Sequence, residues 1–155
     1  LWRMRPDGSG LEKLGEDLGQ AKVDWYPDPS PDGTLLAFAT IVPGADPWVI
    51  RTLDLRTRQV SAWNVPGLVP RWNPSSTRFA ALAGSGAAIR VFTRDGVLER
   101  TIEGNTGEPF GPPTWSPDGK WLAFFQSNTI VLHEIETGLT LPLGWSAFLN
   151  PAAWR

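Results

Sequence analysis

An all-β propeller segment of about three and a half four-stranded blades is the fold this sequence predicts, on three observations. Ser-Pro-Asp-Gly stands at Ser30–Gly33 and again at Ser116–Gly119, with a degraded copy, Asn-Pro-Ser-Ser, at Asn73–Ser76; the starts at 30, 73 and 116 give a step of 43 both times (73 − 30 and 116 − 73). Roughly 40–45 residues is the length of one propeller blade. After each copy comes an apolar strand with alanine at the same place, Ala37, Ala80 and Ala123, where blades approach closely around an axis. Nine Trp, sixteen Gly and fifteen Pro in 155 residues fit many short strands joined by tight turns and leave little room for long helices.

Aligned on the tetrapeptide, the chain reads as one partial propeller domain over residues 1–155. Half a blade occupies about 1–22, whole blades about 24–66, 67–108 and 109–144, and residues 150–155 open a further one. In each whole blade an inner strand ends at the tetrapeptide, preceded by Trp72 and Trp115 in the second and third units and by Pro29 in the first. Second strands follow at Leu35–Ala39, Arg78–Leu82 and Trp121–Phe125, apolar enough to be buried on both faces. Third strands run over Trp48–Leu53, Ala88–Phe92 and Thr129–Ile135, and outer strands over Val60–Trp63, Leu98–Ile102 and Leu139–Leu143, the last group charged or proline-bearing as edge strands tend to be. Leu1–Met4, the turn Pro6–Gly10 and Leu11–Leu14 match the third and fourth strands of the template. The start at Leu1, inside a strand pattern, is expected of a piece of something longer.

The tetrapeptide is turn chemistry. Proline presets φ near −65°, aspartate bonds nearby backbone amides, and glycine enters the left-handed region without a Cβ penalty. Ser75 and Ser76 replace Asp and Gly in the second copy, so a looser or differently shaped turn, and the least regular blade, are expected there.

The composition excludes several classes. A net charge of −2 with dispersed charges provides no basic stripe for nucleic acid. No apolar run approaches the roughly 18 residues of a membrane span. The absence of cysteine removes disulfides, thiolate metal sites and cysteine nucleophiles, and fits either redox compartment.

No catalytic constellation is expected, nor any metal or cofactor. His133 is the one histidine and lies in a third strand, and no Gly-x-Ser-x-Gly elbow accompanies it, so a Ser-His-Asp triad has no nucleophile. Asp24, Asp28 and Asp32 lack the spacing and closing glutamate of an EF-type calcium loop and read as turn residues. Gly84-Ser85-Gly86 reads as a hairpin loop, and Gly104-Asn105-Thr106-Gly107, without the lysine of a phosphate loop, as a connection between blades.

Tryptophans in the repeat register, Trp72, Trp115 and Trp154, read as packing between blades, whereas Trp48, Trp63, Trp121 and Trp145 fall outside it and are candidate recognition residues. Arg71 and Thr114, just before the inner-strand tryptophans, are candidates near the axis.

Trp115-Ser116-Pro117-Asp118-Gly119-Lys120-Trp121-Leu122-Ala123-Phe124 resembles the WD-like repeat with a proline-aspartate turn found in TolB-type propellers. Leu1–Leu11 resembles that family's third strand and turn, and Pro31–Phe38 its first turn and second strand; Pro29 and Asn73–Ser76 depart from the pattern. The resemblance implies six or more blades, so the ring is completed by missing sequence or by another chain, including a homo-oligomer. It further implies a non-catalytic scaffold for protein interaction or ligand sensing in a larger bacterial protein, in an extracytoplasmic setting. Two other functions fit such blades: the substrate-gating propeller of a prolyl-oligopeptidase-like hydrolase, and a carbohydrate-binding lectin-like propeller.

Overall fold

The structure is a computed structural model and describes residues 1–14, 24–41, 48–61, 64–84, 86–104, 110–127 and 129–144. All regular structure among them is β. A two-stranded unit, β1 (Trp2–Arg3) and β2 (Glu12–Lys13), precedes three four-stranded antiparallel sheets. The first sheet holds β3 (Asp24–Pro29), β4 (Leu35–Thr40), β5 (Val49–Asp54) and β6 (Val65–Pro66). The second holds β7 (Leu68–Trp72), β8 (Arg78–Leu82), β9 (Ala88–Thr93) and β10 (Leu98–Glu103). The third holds β11 (Thr114–Trp115), β12 (Trp121–Gln126), β13 (Thr129–Glu134) and β14 (Thr140–Pro142). Strand order follows chain order in every sheet, as in propeller blades, and among the described residues the ring is not closed.

Three apolar seams hold the units side by side. Leu14 meets Leu36, Phe38 and Leu53 between the two-stranded unit and the first sheet. Ala37, Ile50 and Val65 meet Trp72, Phe79, Ala81 and Phe92 in the next seam. Val69, Ala80, Ile89 and Val91 meet Trp115, Leu122, Phe124 and Ile135 in the last. Each second strand presents alternate residues to the two neighbouring seams, which is why it is apolar throughout. Leu36 and Phe38 of the first sheet correspond to Phe79 and Ala81 in the second and to Leu122 and Phe124 in the third, all buried.

The inner strands of the first two sheets each carry a two-for-one bulge. Tyr26 and Pro27 stand opposite the single residue Phe38, and Val69 and Pro70 opposite Ala81. Tyr26 and Val69 take positive φ, 53° and 51°, a left-handed conformation unfavourable for bulky or β-branched residues. In the third sheet this place is Pro112, whose ring forbids positive φ, and β11 shrinks to two residues.

Two expectations are corrected. The outer edge of the first sheet reaches further than Val60–Trp63: Val60 bridges Leu53 and Ser61 N donates to Thr52 O at 2.8 Å, but the segment paired as a strand is β6, opposite Val49 and Ile50, and residues 62–63 lie outside the described ones. The turn of the second sheet is not looser than the others, although that sheet does carry two register shifts, between Leu68 and Arg71 and between Leu98 and Arg100. Its turn closes with Ser76 N to Asn73 O at 3.0 Å, as Gly33 N to Ser30 O (2.8 Å) and Gly119 N to Ser116 O (2.9 Å) close the others. Ser76 adopts φ 60° where Gly33 and Gly119 have 70° and 71°. In the outer copies Asp32 and Asp118 Oδ1 accept the amides of Thr34 and Lys120, and the Ser30 and Ser116 hydroxyls accept those of Leu35 and Trp121. In the middle copy Asn73 Oδ1 accepts both equivalents, Thr77 N at 3.0 Å and Arg78 N at 3.1 Å. One amide side chain replaces two, so the turn survives the sequence change.

Candidate binding surface

The inner strands bring Asp28, Arg71 and Thr114 to one repeat position, each opposite the alanine of its second strand, Ala37, Ala80 or Ala123. Side chains at this position therefore face the following sheet. Asp28 Oδ2 accepts a hydrogen bond from Trp72 N at 2.7 Å, across the seam, and Arg71 Nη1 lies 3.9 Å from Asp28 Oδ1 while donating to Pro70 O at 2.9 Å. Trp115 Nε1 donates to Arg71 O at 2.9 Å over the next seam. Burial pushes the Asp28 carboxyl above the usual carboxylate range, against the pull of the Trp72 amide and Arg71. Asp28, expected in a turn, is a strand residue whose work is between sheets; Asp32 alone of the two serves the turn.

At the opposite end of the first sheet from its Ser30–Gly33 turn, three aromatic rings gather. The Trp25 ring centroid lies 5.6 Å from that of Trp48 and 5.8 Å from that of Tyr26. Trp25 is 45% and Tyr26 42% exposed, and Trp48 is half-buried. The bulge at Tyr26 sets the direction of this ring, on a strand in which Asp28 is half-buried and Trp25, Pro27 and Pro29 are exposed. Rings in such offset and edge contacts offer a broad apolar surface with polar edges at little entropic cost.

The candidates from sequence thus separate. Trp48 joins the aromatic cluster, whose other members, Trp25 and Tyr26, sequence reasoning missed; the Tyr-Pro and Val-Pro pairs at 26–27 and 69–70, one repeat apart, were the available signal of a bulge. Arg71 stands opposite Ala80 at the inner edge of the second sheet and brings its guanidinium to 3.9 Å from the Asp28 carboxyl. Thr114 and Trp121 share the face of the third sheet turned away from the second, Trp121 half-buried opposite Glu134. Trp63 and Trp145 lie outside the described residues, as do Trp154 and the strand expected at 150–155. Trp72 and Trp115 are 5% and 7% exposed and pack between sheets. His133 is buried on the last seam with Nδ1 2.8 Å from Thr140 Oγ1; burial and then Arg100 hold its pKa below the ordinary value.

No protein-family model matches the chain. An uncharacterized protein of Agrobacterium fabrum is 32% identical over 94 residues, 52% of this chain and 30% of that protein. Among solved structures, TolB from Acinetobacter baumannii is similar with a TM-score of 0.64 and 22% identity, over 96% of this chain and 38% of TolB. A prolyl endopeptidase is similar with a TM-score of 0.69 and 19% identity, over 94% of this chain and 26% of the enzyme. These likenesses establish a TolB-like β-propeller fold. The chain spans only 26% to 38% of the lengths of these three proteins.

Proposed function

We propose that this chain is a non-catalytic β-propeller unit of a larger bacterial protein, serving protein interaction or ligand sensing. The observation that carries the reading is the Trp25–Tyr26–Trp48 cluster: three adjoining rings, two of them exposed, on a sheet whose second and third strands are packed into apolar seams. Large exposed aromatic side chains on a rigid scaffold are the usual anchors of protein interfaces. Arg71 and Thr114 near the axis, and Trp121 on the third sheet, are secondary contributors in this reading, and the likeness to TolB favours an extracytoplasmic setting.

The test compares the wild-type chain with a Trp25→Ala, Tyr26→Ala, Trp48→Ala triple variant of unchanged unfolding midpoint, each used to capture proteins from a bacterial envelope extract. A partner retained by the first and lost from the second supports the reading; retention indifferent to the three substitutions overturns it. A glycan array run on the same pair separates a carbohydrate-binding propeller from a protein-binding one, because aromatic faces also stack on sugars. Peptide hydrolysis by the longer parent protein, absent from a parent lacking this segment, favours the gating role instead.

A further inference from the structure

The seam between the first and second sheets is closed at its turn end by one side chain. Arg94, just after β9, donates from Nη1 to Asp32 Oδ2 at 2.9 Å and to Ser76 O at 2.8 Å, and from Nη2 to Thr34 Oγ1. Its guanidinium carbon lies 5.7 Å from the centroid of the Trp72 ring. Ser76 Oγ adds a bond from Asp32 N at 3.0 Å.

One repeat later the corresponding place is unfilled. The backbone equivalent of Arg94 is Ile135, since Arg94 N bonds Thr77 O and Ile135 N bonds Lys120 O in the same way. Ile135 turns into the core and is 7% exposed. Ser75 stands for Asp32 and Gly119 for Ser76, so the carboxylate and the bridging hydroxyl are gone together with the arginine. What remains is an open cleft of about 500 Å³ between the second and third sheets, with Ser75 and Thr77 on one wall and Gly119, Lys120 and Glu136 on the other.

We propose that this cleft receives a guanidinium group, the side chain of an arginine on a partner protein, in the place that Arg94 occupies next door. The acceptors match: Thr77 Oγ1 corresponds to Thr34 Oγ1 and the Gly119 carbonyl to that of Ser76. Glu136 supplies a carboxylate in place of the one lost at Ser75. The cations at the rim do not oppose entry, because Arg78 Nε is held 2.7 Å from Glu99 Oε2 and Lys120 lies close enough to the Asp118 carboxylate to stabilise its charge. A planar fork of donors is the group that such a set of acceptors selects, and an ammonium satisfies fewer of them. This site is distinct from the aromatic cluster, and its failure would leave that reading standing.

The probe is the peptide acetyl-Gly-Arg-Gly-amide, titrated into the isotope-labelled full chain, with the citrulline and lysine peptides as controls. Saturable amide shifts are expected at Ser75, Thr77, Gly119 and Glu136 with the arginine peptide, about threefold weaker binding with lysine, and none with citrulline. Ser75→Asp, which restores the carboxylate of the filled seam, tightens binding by about five- to tenfold. Ile135→Arg supplies an internal plug and abolishes binding. Shifts of equal size from the citrulline peptide, shifts confined to other surfaces, or indifference to Ser75→Asp overturn the proposal; the serine variant, on an exposed turn, keeps the test decisive even where Ile135→Arg does not fold.

Discussion

The Asp28 carboxylate accepts the backbone N–H of Trp72 at 2.7 Å, joining inner strands of neighbouring sheets 44 residues apart in the chain. The amide lies on a seam and the carboxyl is desolvated, so the bond is costly to lose. Asp28→Ala is expected to destabilise the chain by about 1–3 kcal/mol, the penalty of an unpaired buried donor. Asp28→Asn keeps an acceptor and is expected to cost less than half as much. Urea unfolding of the three proteins decides it; equal stability of wild type and the alanine variant would show that the seam does not depend on this bond.

Ser76 separates backbone strain from hydrogen bonding. Its left-handed φ of 60° is unfavourable for any residue with a Cβ, and its hydroxyl accepts the Asp32 amide across the seam. Ser76→Ala keeps the strain and loses the bond, with an expected loss of about 1 kcal/mol. Ser76→Gly loses the bond but relieves about 1 kcal/mol of strain, and should equal or approach wild type. Alanine more stable than glycine in thermal unfolding contradicts the conformation.

Acid should weaken the fold. Asp7, Glu12, Asp32, Asp54 and Asp118 are all held below the usual carboxylate range, chiefly by hydrogen bonds from serine hydroxyls, backbone amides or, for Glu12, Arg3. Groups with lowered folded-state pKa contribute stability above their unfolded values, near 4, that disappears as the pH falls through the folded ones. Asp28 acts in the opposite sense: its raised pKa makes the folded state bind the proton more readily, so its contribution improves as the pH falls. Unfolding midpoints measured from pH 7 to 2 should decline below about pH 4, less steeply in Asp32→Asn, whereas Asp28→Asn removes a gain that falls above about pH 4, between the unfolded and the raised folded value. A flat profile contradicts the shifts.

Phe38 and Phe124 are almost wholly inaccessible, at 0% and 1% exposure, whereas Trp121 is half-buried on the outward face of the third sheet. Alanine at either phenylalanine is expected to cost about 3–5 kcal/mol through lost burial and the cavity left behind. Trp121→Ala should cost markedly less. Denaturant midpoints of the three variants check the order, and a larger loss at Trp121 would mean that this face is core.

The strands were legible because their signals are local. Two-residue alternation, the alanine at a fixed place and proline-aspartate-glycine turns act within a few residues of backbone, so Leu35–Thr40, Arg78–Leu82 and Trp121–Gln126 stand where the pattern puts them. The outer edge of the first sheet was legible only in part, because an outer strand has one partner and weak patterning: Val60 bridges Leu53, but the strand pairing lies at Val65–Pro66. The candidate surface was legible only in part: Trp48 and Arg71 were found by their residue type, but Trp25, Tyr26 and Asp28 owe their roles to a bulge and to a neighbour in the next sheet.

From its own order of residues the chain determined a repeated unit, four strands per unit and the turn that reverses each one, since those depend on torsional preference and side-chain periodicity. Stacking decided the rest. Asp28 meets Trp72, Arg94 fills one seam and Ile135 leaves the next one open because the sheets lie face to face at a fixed offset. Which side chains then oppose each other is set by packing between residues tens of positions apart, and no local preference encodes that.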